Sequence, residues 1–274
     1  MPSRRGVLKL IGGGTVLAAT SIGGFVYASQ PSQKARRPWK NAGHYDHFLK
    51  RILSFALLAP NPHNRQPWLV KLEGEDALTL YCDLDRRLPE TDPFDRQITI
   101  GCGAFLEMLS LAAAEEGYGA AIEAFPEGEN MATLDKRPVA RVSFTLKTAA
   151  PDPLFRQILN RRTNREIYSS TPVPNDALTA LKTATTGFGV AAQMIGDTPE
   201  AEWLRDLTWR AHEMEMISPG PHQESVDLMR IGPKEVAKNP DGIDMEGAMI
   251  SAGKLIGVVN RETLADPNST AFKQ

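Results

Sequence analysis

The sequence predicts an α+β fold in two lobes, and three observations carry that expectation. Segments with helical spacing of apolar residues and short β-prone runs recur on both sides of residue 150. A Pro-bearing break, Ala149-Ala150-Pro151-Asp152-Pro153, separates them. The regular strand–helix alternation of a doubly wound parallel sheet is missing. With 274 residues, 42% hydrophobic and 23% charged, the chain can build a sizeable core and is too polar for a multi-span membrane protein.

Tyr45 to Leu58 carries apolar residues at 45, 48, 49, 52, 53, 56 and 57, one face of a helix. Pro60 and Pro62 forbid its continuation. Leu69–Leu72 and Leu78–Cys82 read as strands around a Glu73-Gly74-Glu75-Asp76 turn. A charged loop from Asp83 to Arg96 leads to a helix that contains Gly101-Cys102-Gly103 and runs to about Glu116, with Phe105, Leu106, Leu109 and Ala113 inward. Ala140, Val142, Phe144 and Leu146 alternate with polar residues, the pattern of a strand with one wet face. Beyond the break, Leu154–Leu159 and Asp176–Thr183 read as helices and Gly189–Ile195 as a strand. Pro199–Ile217 is a long helix with Trp203, Leu204, Leu207 and Met214 on one side.

The first thirty residues read as an address. Ser3-Arg4-Arg5 precedes Val7-Leu8-Lys9, and no charge occurs from Leu10 to Ala28. This order resembles a twin-arginine export signal, which makes the translocation machinery a partner and a periplasmic or other extracytoplasmic space the destination. Val26-Tyr27-Ala28 suits a signal peptidase, and residues 10–28 are also long enough to tether the protein to a membrane. Residues 29–43 read as a polar linker, residues 44–150 as the first lobe and 151–274 as the second.

Composition and missing motifs narrow the function. A formal charge of -2 gives no case for nucleic acid. Cys82 and Cys102 form no Cys-x-x-Cys pair, and their spacing alone does not decide whether they bond. Dinucleotide fingerprint, phosphate loop, nucleophile elbow and zinc helix motifs are absent from the sequence, and no catalytic residue or metal ligand is assigned.

Two polar clusters remain. Pro60-Asn61-Pro62-His63-Asn64-Arg65-Gln66-Pro67-Trp68 lies at a helix-to-strand corner, where paired amide donors and acceptors suit a flat heterocycle. A Pro/Asn loop closed by a core tryptophan is the structural alternative. Asn160-Arg161-Arg162-Thr163-Asn164-Arg165 offers guanidinium forks for phosphate oxygens, or simply a solvated charge run. One cluster suits a ring and the other a terminal phosphate. A mononucleotide such as a flavin needs both, and flavin chemistry requires no protein nucleophile.

The segment Leu58-Ala59-Pro60-Asn61-x-x-Asn64-x-Gln66-Pro67-Trp68 resembles the Ala-Pro-Ser-x-x-Asn-x-Gln-Pro-Trp motif of the nitroreductase family. Arg161-Arg162-Thr163-Asn164-Arg165 is similar to that family's phosphate-binding Arg-Arg-Ser-x-Arg segment. The two occur in reversed order, as in the Acg-type branch, in which one chain imitates the usual homodimer. Asp85, Arg87, Asp92, Arg96, the Gly101–Ala104 step, Glu224-Ser225, Arg230-Ile231-Gly232 and Pro240-Asp241-Gly242 also look like this branch.

The resemblance implies a pseudo-dimeric nitroreductase-like fold whose second lobe is incomplete at Gln274. It implies FMN, with Arg161, Thr163 and Arg165 on the phosphate and Arg162 assisting. Pro60, Asn61 and Asn64 would line the isoalloxazine or ribityl, while Gln66 and Trp68 fix the loop. The implied activity is transfer of hydride or electrons to a small planar acceptor, a quinone or nitroaromatic. After export, a membrane or protein donor would replace the cytoplasmic NAD(P)H pool. A non-catalytic flavin-binding or sequestering protein, and a cofactor-free partner-binding protein, are the alternatives.

Overall fold

The computed structural model describes residues 25, 28–130, 132–146, 149–165, 167–186, 188–196 and 198–269. The expected export signal therefore lies outside the described residues, apart from Phe25 and Ala28. The chain divides into two units: one runs through Arg161 and resumes at Gln223, and the other comprises Arg162–His222.

In the first unit, α1 (Arg37–Asn41) starts with Pro38, which has no N–H to leave unsatisfied there. The segment expected as a linker is instead docked. Ser32 N donates to Glu246 Oε1 at 2.7 Å, Arg36 reaches Oε2 at 3.4 Å, and Ala42 is buried in the core. Sparse apolar residues among charges conceal this from a composition reading.

Helix α2 (Phe48–Ala56) buries Leu49, Ile52 and Ala56, as its periodicity predicts. Strands β1 (Trp68–Glu73) and β2 (Ala77–Cys82) pair antiparallel, with Glu73 opposite Ala77 across the turn. Gly74 turns the chain at φ 71°, a left-handed value that favours glycine. Helix α3 (Arg96–Glu115) buries Ile98, Cys102, Phe105, Leu109 and Ala113. Strands β3 (Tyr118–Ala124) and β4 (Ala140–Leu146) complete an antiparallel sheet of order β1-β2-β4-β3.

Helices and sheet share one core. Trp68 meets Phe105 at 5.0 Å between ring centroids, and Phe48 stacks on Tyr118 at 4.1 Å. Burying a side chain such as Phe105 is worth about 1.5–3 kcal/mol. Arg51 clamps Glu116 with two bonds of 2.7 and 2.6 Å, tying α2 to the residue after α3. The Pro-bearing break does not end this unit. Phe155 packs on Phe55, Ile158 is buried in the same core, and the boundary falls after Arg161. Leu154–Leu159, expected as a short helix, forms a 3-10 turn over Pro153–Gln157.

The second unit contains α4 (Asn175–Ala184) and α5 (Pro199–Ile217), neither of which buries a residue. Thr198 caps α5 by accepting Ala201 N at 3.4 Å. The strand expected over Gly189–Ile195 does not form; residues 190–195 carry no regular structure. Strand-prone residues form no strand without a pairing edge. Helix α6 (Pro219–Leu228) crosses the unit boundary.

Back in the first unit, β5 (Met229–Ile231) pairs parallel with β6 (Ile243–Met245), joined through α7 (Pro233–Lys238). Helices α8 (Ala248–Leu255) and α9 (Arg261–Ala265) follow. Val226, Ile231 and Leu264 form a small second core. Glu235 is its polar pin, accepting from Ile231 N at 3.1 Å, Lys254 at 2.6 Å and Arg261 at 2.8 Å. Burial acts to raise the Glu235 carboxyl, but these bonds outweigh it and hold it at about 2.

Candidate functional site

The corner between α2 and β1 is where the sequence places the ring-binding cluster, and its backbone is unusual. His63, Asn64 and Gln66 take φ values of 46°, 50° and 51°. Left-handed backbone at non-glycine residues costs about 1 kcal/mol or more each, with Asn the most tolerant. Surrounding bonds must hold such a loop.

Those bonds begin within the loop. Asn61 accepts Gln66 N on Oδ1 at 2.7 Å and donates through Nδ2 to Ala59 O at 3.1 Å. Its Cβ side presses on α3, where a methyl added to Gly101 would lie 3.1 Å from Asn61 Cβ. Gly101 is therefore the point of close approach between loop and helix.

Other bonds come from the far end of the unit. Asn64 and Gln66 both donate to Pro240 O, at 3.3 and 2.9 Å, and Gln66 also donates to Asn64 Oδ1 at 3.1 Å. Gly242 N donates to Asn64 O at 3.1 Å, and Ser225 Oγ lies 3.4 Å from His63 Nε2. Glu224 accepts Glu90 N, Thr91 N and Thr91 Oγ1, bracing the loop that leads into α3.

Arg65 is the charged pin of this arrangement. It is only 9% exposed, and donates to Arg86 O at 3.1 Å, Asp85 O at 2.9 Å and Asp241 Oδ2 at 2.8 Å. Arg86 and Arg230 also face Asp241, at 3.7 and 3.3 Å. Burial lowers the Arg65 guanidinium from its ordinary range, while Asp241 opposes that shift. Sequence reading left Arg65 and Asp241 without roles. The spacing of 176 residues offers no local signal, although the Pro-Asp-Gly triplet marks the place.

The expected phosphate cluster is split. Arg161, half-buried, belongs to the first unit and donates through Nη2 to Leu58 O at 3.0 Å, at the entry to the loop. Arg162, Thr163 and Arg165 belong to the second unit and are exposed. Arg161 thus meets the chain next to the Pro60–Gln66 cluster, about a hundred residues away in sequence.

The described residues fit a polar ring edge in one countable respect. An amide has two N–H donors and two lone pairs on oxygen. Among the described residues, the side-chain bonds of Asn61 and of Asn64 use one N–H and one lone pair each. Pro60 and Asn64 are exposed. Cys82 and Cys102 are free and buried, and burial pushes both thiols up to about 12, far from thiolate nucleophiles. No cluster of three or more potential metal ligands occurs among the described residues.

Mixed α and β layers with this corner are the class of protein in hand, and they agree with a nitroreductase-like fold. No family model matches the chain. It is similar to two proteins of Mycobacterium tuberculosis that carry the provisional name NAD(P)H nitroreductase. One is 30% identical over 178 residues, covering 58% of this chain and 50% of the relative. The other, Acg, is 31% identical over 157 residues, covering 56% and 46%. A similarly named Serratia protein, PigM, is 31% identical over 75 residues, covering 27% and 21%. The chain spans about half the length of the M. tuberculosis relatives it matches.

Proposed function

We propose that the chain is an FMN-binding oxidoreductase of nitroreductase type, with the pseudo-dimeric arrangement of the Acg-type branch. The observation that carries this reading is the convergence of Arg161 on the Leu58–Gln66 loop, in a chain whose relatives bear the nitroreductase name. Pro60, Asn61 and Asn64 border the ring, and Gln66 holds the loop through Pro240 O. Arg161, Thr163 and Arg165 take the phosphate, with Arg162 beside them. Bound flavin would supply hydride transfer, and the protein supplies orientation and an open face.

The acceptor in this reading is a small planar quinone or nitroaromatic. The relatives' names point to a reduced nicotinamide as donor. Export through the twin-arginine route would instead call for a membrane or protein donor in the periplasm. Substituting Arg4 and Arg5 together by Lys should keep the protein in the cytoplasm; unchanged export overturns that part of the reading.

The direct test is a visible absorption spectrum of the purified chain after FMN addition and removal of free flavin. A retained flavin spectrum supports the proposal, and no retained flavin contradicts it. A protein that holds FMN without turnover is the second reading, favoured by the internal bonding of Asn61, Asn64 and Gln66. It expects reduced flavin to persist when quinones and nitro compounds are added, whereas the enzyme reading expects prompt reoxidation under anaerobic conditions.

A further inference from the structure

A concavity of about 400 Å³ opens at the start of α3, and none of the loop residues 58–66 lines it. Its size falls within the range of small-molecule sites. Phe94 and Ile100 stand in it 62% and 71% exposed, with Phe125 and Leu134 behind them. Large apolar side chains held this far open mark a surface that a ligand can cover.

The wall is fixed. Asp95 accepts Leu134 N at 2.8 Å and pairs with Arg87 at 2.9 Å. Arg137 is committed to Asp135 at 2.7 Å and to Glu127 O at 3.2 Å. Arg96 differs: its guanidinium lies 5.5 Å above the Phe94 ring and forms no ion pair with a described residue. An uncommitted cation stacked on an aromatic face presents one flat surface and one set of charge-assisted donors. Glu129, also in the lining, is a carboxylate that forms no salt bridge with a described residue.

We propose that this cleft binds a small planar aromatic anion, its ring against Phe94 and Ile100 and its charge on Arg96. The site is separate from the proposed flavin site and does not depend on it. The probe is naphthalene-2-carboxylate, with neutral naphthalene-2-methanol as control, titrated calorimetrically into the full chain.

Saturable binding of the carboxylate is expected. Arg96→Gln should weaken it roughly tenfold, the loss of about one charge-assisted bond, and leave the neutral analogue within about twofold. Glu129→Gln should tighten the carboxylate, and Ile100→Ser should weaken both probes. Because Arg96 and Glu129 are exposed, their variants retain the fold even where Ile100→Ser disturbs it. Absence of saturable binding, or equal binding by wild type and Arg96→Gln, overturns the proposal. Preference for the alcohol over the carboxylate does the same.

Discussion

The Pro60–Trp68 corner and the Asn160–Arg165 run carry comparable polar content, yet their surroundings differ sharply. In the corner, each of Asn61, Asn64, Arg65 and Gln66 is bonded within the first unit, and three left-handed residues are held in place. In the run, Arg161 is anchored on Leu58 O while Arg162, Thr163 and Arg165 are exposed. Preorganisation is therefore concentrated at the corner, where the proposed reading puts the flavin ring. In the proposed reading, a phosphate would be met by exposed guanidinium donors, which can reach it from several directions.

Breaking the corner at Asp241 should have the largest effect on stability. Asp241→Ala leaves Arg65, Arg86 and Arg230 facing one another in partly buried space, and about 3 kcal/mol of destabilisation is expected in urea denaturation. Gly242→Ala follows. Its φ is 85°, and an added methyl would collide with Leu228 O and approach Arg230 Cζ to 3.0 Å, so about 2 kcal/mol should be lost. Gly101→Ala pushes on Asn61 and should cost about 1 kcal/mol, with the amide proton of Gln66 exchanging faster. Arg165→Ala, the contrasting change in the exposed run, should stay within about 0.5 kcal/mol.

A pH titration sharpens the comparison from a third place. Glu235 has a folded carboxyl at about 2 against an ordinary 4.5. Its stabilising contribution is fully present above the ordinary value and fades as pH falls toward 2. Glu235→Gln should flatten that part of the stability profile. An unchanged profile would show that Lys254 and Arg261 contribute nothing through this carboxylate.

What could be read from sequence follows from range. Periodicity located α2, α3 and β4 because each buries a regular stripe within its own segment. The β1–β2 hairpin carried its own turn. Strand β3, the Ala-rich Tyr118–Ala124, leaves little trace in the sequence because pairing with β4, not propensity, makes it a strand. Gly189–Ile195 fails for the opposite reason, having suitable residues and no partner edge.

At the candidate site, residue types single out the corner but do not disclose its bonding. Asn64 reads as a ring-lining amide and Gln66 as a loop-fixing one; what the sequence does not disclose is the acceptor they share, Pro240 O. That carbonyl is supplied from 176 and 174 residues away. Arg65, an unassigned position within the motif, is the buried pin to Asp241. Long-range satisfaction of a buried guanidinium leaves no local pattern to read.

The most direct measurement compares FMN with riboflavin, which lacks the phosphate, in fluorescence titrations of wild type and the Arg161→Ala/Arg165→Ala double variant. If Arg161 and Arg165 hold the phosphate, wild type should prefer FMN by roughly ten- to a hundredfold, and the preference should vanish in the double variant. Equal affinity for both flavins in wild type, or an FMN preference that survives the double substitution, would contradict the account.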